Sequence, residues 1–162
     1  MNGLMRGLVL GGVQVLLVAG VGAKFLLDRV NYPKVWVQTA PYDPDLPIRG
    51  RYVRLMAVVT NGSPESSVEL ERVRLAVHDS RLVAMADQAG SHWLNKRSCG
   101  AQSCWVLTEP LAYFIPEHVP DPSIRASGEE LWVEVTVPPT GAPRPIRLGV
   151  KKNGRLEPLT FR

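Results

Sequence analysis

From Val35 onward the apolar side chains of this chain recur every second residue, and that period constrains the fold more than any other feature. In "YVRLMAVV" (52–59), Val53, Leu55, Ala57 and Val59 share one face. In "ERVRLAVHD" (71–79), Val73, Leu75 and Val77 face one way, and Arg72, Arg74 and His78 the other. In "ELWVEVTV" (130–137), Leu131, Val133, Val135 and Val137 point inward. "VWVQT" (35–39) and "CWVLT" (104–108) extend the series. Alternation of this kind marks strands with one dry and one wet face. Asp79-Ser80 leaves room only for a hairpin turn before "RLVAMAD" (81–87), and Asn153-Gly154 predicts a type I′ turn between "IRLGVKK" and "RLEPL". No amphipathic helix of ten or more residues is legible after residue 35. "APYDPDLP" (40–47) and "IPEHVPDPS" (115–123) read as Pro-rich connections, and "VTNGSPESS" (59–67) as a loop tip. These elements predict a small antiparallel β sandwich or partly open barrel.

The N-terminus is different in kind. Gly7 to Ala23 carries no charge, and Gln14 is its one strongly polar side chain. As a helix this run spans roughly 25 Å, and about 30 Å if Phe25-Leu26-Leu27 is added, with Lys24 snorkelling. It predicts a transmembrane helix, an uncleaved signal anchor over residues 1–29, with residues 30–162 as the β domain. The alternative is a cleaved signal ending at Val21-Gly22-Ala23. Gly11, Gly12, Ala19, Gly20 and Gly22 would let another helix approach closely.

Two cysteines, Cys99 and Cys104, lie five positions apart with a Gly between them. The spacing is not C-x-x-C, and His78, His92 and His118 do not complete a zinc pattern, so no metal and no cofactor is expected. A disulfide pinning a hairpin tip is the expectation, reduced thiols in a loop the alternative. A disulfide persists in an oxidising compartment, which places the β domain outside the cytoplasm. Charge argues in the same direction as to partners. The 19 basic and 15 acidic residues are interspersed and form no stripe, so nucleic acid is not expected.

"VWVQTAPYDPDLPIRGRYVRL" and the later "YFIPE" together resemble the signature of the GDYXXLXY proteins, membrane-anchored bacterial proteins. Thr39-Ala40-Pro41, Asp43-Pro44, Arg49-Gly50, Tyr52 and Leu55 match the first block; Tyr113-Phe114, Pro116 and Glu117 match the second. Arg51 stands where the signature has Asp, Ala57 where it has Tyr, and His118 where it has Gly, as in a divergent member. The resemblance implies a single-pass protein of the bacterial inner membrane with a periplasmic C-terminal domain. Its implied partners are other inner-membrane proteins. It implies no activity.

Catalysis is not expected. A Ser/Lys hydrolase of the signal-peptidase type needs a Ser soon after the membrane helix and a Lys base beside it. The first Ser is Ser63, in the loop tip, and the lysines after Lys34 are Lys96, Lys151 and Lys152. Glu117 with His118 or Asp121 reads as a solvated Pro-rich loop. The functional expectation is therefore an accessory or assembly module of an envelope complex, with a small-ligand-binding envelope protein as the alternative. Candidate contact residues are Arg51, Tyr52, Tyr113 and Glu117, with Trp93 as a further aromatic. Asp43-Pro44, Pro47 and Gly50 read as an architectural approach to the strand that Tyr52 begins.

Overall fold

A computed structural model of the chain describes residues 3–41, 52–61, 70–99, 102–116 and 118–161. The chain divides into two units, Met1–Tyr32 and Pro33–Arg162. The first is one helix, α1 (Gly3–Asn31), of 29 residues, which at 1.5 Å per residue runs about 43 Å. None of its apolar stretch is buried. The helix is long and apolar enough to cross a membrane. It extends beyond the uncharged run because Lys24, Leu26, Leu27 and Arg29 all favour helix. It ends just before Pro33, whose ring disfavours helical backbone in the preceding residue.

The second unit is built of β-strands. They are β1 (Lys34–Pro41), β2 (Tyr52–Asn61), β3 (Leu70–His78), β4 (Arg81–Ala86), β5 (His92–Cys99), β6 (Gln102–Leu107), β7 (Leu111–Phe114), β8 (Glu129–Thr136), β9 (Arg144–Lys152) and β10 (Arg155–Pro158). They form one ten-stranded sheet in the order β10-β9-β8-β1-β2-β4-β3-β5-β6, with β7 paired to β2. β6 also returns to β2 (Val58↔Val106, Val59↔Trp105), so β2, β4, β3, β5 and β6 close a ring. Among the described residues every pairing is antiparallel except β2–β4, which is parallel over Thr60↔Val83 and Asn61↔Ala84.

β2 is the hub, and its sequence explains why. Val53, Leu55, Ala57 and Val59 are all buried in the main core, as the alternation predicts. Met56, between them, is buried on the opposite side in a smaller cluster with Ala40 and Val106. A strand covered on both faces reads as a near-continuous apolar run, which "YVRLMAVV" is. β7 and β6 follow one another along one edge of β2, and β1 and β4 along the other. The ladder to β1 ends at Ala57 and the ladder to β4 begins at Thr60, so the two strands diverge around Val58 and Val59.

Both predicted tight hairpins form. Asp79 and Ser80 have φ of 47° and 59°, and Asn153 and Gly154 have 51° and 79°, the left-handed pairs that a type I′ turn requires. Two strands escaped the pattern. In β5 only His92 and Leu94 turn inward before Lys96 and Ser98 face out, and β7 is four residues long. Cys99 closes β5, Cys104 lies in β6, and the two form a disulfide with Cα atoms 5.7 Å apart. It packs on the smaller cluster of Ala40, Met56 and Val106. The anticipated approach through Asp43-Pro44, Pro47 and Gly50, and most of the 59–67 loop tip, lie outside the described residues.

Candidate binding cleft

The divergence of β1 from β4 opens a cleft of ≈ 520 Å³. Its floor is the wet face of β1 and β8, where Trp36, Gln38, Glu130 and Trp132 lie. Its far wall is the β3–β4 turn, Asp79 to Leu82. The same two strands send Val35, Val37, Leu131, Val133 and Val135 into the core. Pairing of Gln38 with Trp132 and of Trp36 with Glu134 makes the two indoles diagonal neighbours on adjacent strands.

Each indole carries a cation over one face. Trp132 Nε1 donates to Glu130 Oε2 at 3.0 Å, and Lys151 Nζ lies 4.7 Å from the Trp132 ring centroid. The Arg147 guanidinium lies 5.3 Å from the Trp36 ring and is itself fixed by Glu134, Nε to Oε2 at 2.6 Å. Gly149 lies against the six-membered edge of Trp36: a Cβ there would fall 2.9 Å from Cζ3. Cations over indole faces fix the rings at modest cost, because the ring quadrupole attracts them. The arrangement is two oriented aromatic platforms ringed by an amide, carboxylates and an ammonium.

A smaller pocket of ≈ 190 Å³ shares Gln38 and Glu130 with this cleft and adds Arg54, Ser123, Arg125 and Glu129. Lys152 donates to Glu129 Oε1 at 3.0 Å, and this hydrogen bond, more than any other influence, holds the Glu129 carboxyl below its ordinary pKa. Arg125 Nε is buried without a hydrogen-bond partner among the described residues.

The candidate contact residues fall elsewhere. β2 and β7 bring the two signature blocks together: Tyr52 pairs with Phe114, and Val53 with Tyr113. Tyr52 is exposed and meets Phe114 edge-on at 5.6 Å. Tyr113, on the opposite face, is half-buried, packs on the core and contacts Phe161 at 6.3 Å. Trp93 is partly exposed under Arg72, 4.8 Å away. Arg51 and Glu117 lie outside the described residues. Among the described residues, no three of His, Cys, Asp and Glu come together as a metal site would need.

Sequence reasoning missed Trp36 and Trp132, although a signal was present. In "VWVQT" and "ELWVEV" each Trp occupies a wet position of an alternating strand, where burial in the core does not account for it. What the sequence did not reveal is that β1 and β8 are neighbours, which turns two isolated aromatics into one floor. No family model, curated protein or solved structure matches the chain.

Proposed function

We propose that this chain is a divergent GDYXXLXY protein, anchored in the bacterial inner membrane by α1 with its β unit on the extracytoplasmic side, and that it acts by binding and not by catalysis. The observation that carries the reading is the pairing of an apolar helix of membrane-spanning length with a β unit that carries a disulfide across its β5–β6 hairpin. An anchored module of this kind serves as an accessory part of an envelope complex, contacting other inner-membrane proteins. The exposed Tyr52–Phe114 pair is the surface proposed for that contact, with Arg51 and Glu117, which lie outside the described residues, as further contact candidates. Protease added to spheroplasts should digest the β unit and leave an α1-sized fragment. Digestion only after lysis would overturn the topology.

A second reading, a small-ligand-binding envelope protein, is favoured by one observation: the cleft with its two oriented indoles. Concave sites with aromatic walls and a few fixed polar groups are where small ligands bind. The two readings use different surfaces and are compatible.

A further inference from the structure

We infer that the cleft and its smaller neighbour form one trough that binds a carboxylate-bearing oligosaccharide. The inference rests on the ligand-binding reading of the cleft and names the ligand class. Three features point the same way.

The first is the floor. Trp36 and Trp132 lie on adjacent strands, diagonal to each other, and are held in place by neighbours. A sugar ring has an apolar C–H face and a polar rim. Stacking on an indole satisfies the face, since Trp combines a large apolar area with a fixed orientation. Two platforms in sequence suit a ligand of linked rings better than a single compact one.

The second is the rim. Gln38 supplies an amide that donates and accepts, Ser80 a hydroxyl and Glu130 a carboxylate. Hydroxyls of a saccharide both donate and accept, so a rim of mixed capacity matches them. A rim of donors alone would suit a phosphate.

The third is a half-buried arginine whose Nε is out of water. Arg125 Nε is out of water and lacks an acceptor among the described residues, in a pocket that shares two wall residues with the cleft. A buried donor of this kind is costly until an acceptor arrives, and a carboxylate is the acceptor whose geometry suits a guanidinium. Glu129 bonds Lys152 and also feels Arg125, so the group sets three basic side chains, Arg54, Arg125 and Lys152, against two carboxylates, Glu129 and Glu130. The local balance favours an anionic group there. The ligand class is therefore a short glycan whose rings stack on the indoles and whose acid reaches Arg125.

The test uses the full chain in dodecylphosphocholine micelles, a detergent without a sugar headgroup. The indole N–H resonances of the four tryptophans are followed by NMR during titration with three probes: tetragalacturonate, cellotetraose and tetra-alanine. Tetragalacturonate should shift Trp36 and Trp132, leave Trp93 and Trp105 in place, and bind at least tenfold more tightly than cellotetraose. Arg125→Gln should remove that tenfold preference. If Arg125→Gln loses the dispersed spectrum of a folded domain, Arg54→Gln carries the same reading. Equal binding of the two saccharides, insensitive to both substitutions, overturns the acidic assignment. Response to tetra-alanine alone overturns the glycan class and leaves the cleft a binding site. No response at Trp36 or Trp132 to any probe overturns the inference and the ligand-binding reading together.

Discussion

β1 and β8 each have two faces, and the two faces do different work. Inward, Val35, Val37, Leu131, Val133 and Val135 are almost wholly buried in one apolar cluster. Outward, Trp36, Gln38, Glu130 and Trp132 line an open cleft. The backbone is the same and the residues are one position apart. The inner face is specified by the hydrophobic effect, which is indifferent to identity as long as volume is kept. The outer face carries large aromatics where solvation alone would select small polar or charged side chains, and it fixes them with cations and a hydrogen bond. Folding explains the first face completely and the second hardly at all, which is why the second is read as functional.

Substitutions sort by face. The largest effect belongs to the core. Leu55→Ala or Leu148→Ala, each at a fully buried site, should cost about 2–5 kcal/mol in denaturant melts by leaving a cavity. Next is Gly149→Ala, which tests the boundary between the faces. Its Cβ would meet the Trp36 ring at 2.9 Å and the Glu157 carbonyl at 3.1 Å, so about 1–3 kcal/mol of overpacking is expected. The Trp36 indole resonance should move with it. A Gly149→Ala protein of unchanged stability with Trp36 undisturbed would break the claim that Trp36 is held against the sheet.

The disulfide comes third. It closes a short loop over the small Ala40, Met56 and Val106 cluster, so Cys99→Ser with Cys104→Ser should cost about 2 kcal/mol. Peptide mapping without reduction should show the two linked.

These expectations also show how much of the molecule was legible in the chain. The strands with three or more alternating apolar positions, β2, β3 and β8, and the two left-handed hairpins could be read, because periodicity and turn chemistry are local. β5 and β7 could not, since they offer two inward residues or only four residues in all. The parallel contact of β2 with β4 was equally hidden, because pairing between distant segments leaves no local trace. The same reason hid the cleft. Its walls come from β1, β2, β8, β9 and the β3–β4 turn. Tyr52 and Tyr113 were named from a signature, and the structure sets them on adjacent strands with unlike surroundings, one exposed and one half-buried on the core.

The smallest effects lie on the wet face. Gln38→Ala and Lys151→Ala should change stability by no more than about 0.5 kcal/mol, as surface substitutions usually do. The Glu129–Lys152 pair, by contrast, depends on pH. The lowered Glu129 pKa means that its contribution is in place above the ordinary carboxylate range and is lost as pH falls through the lowered value. Glu129→Gln should therefore melt slightly below wild type at neutral pH, and the two curves should converge in acid.

The most direct test of the division between the faces uses neighbours on one strand, Val133 and Trp132. Val133→Ala and Trp132→Ala are each measured for thermal melting and for the Trp36 indole shift with tetragalacturonate. Val133→Ala should lower the melting temperature and keep the shift, because its side chain is wholly buried. Trp132→Ala should melt close to wild type and weaken binding at least tenfold. If Trp132→Ala instead melts as low as Val133→Ala while binding is unchanged, the outer face is part of the fold's support and the account of it as a binding face is contradicted.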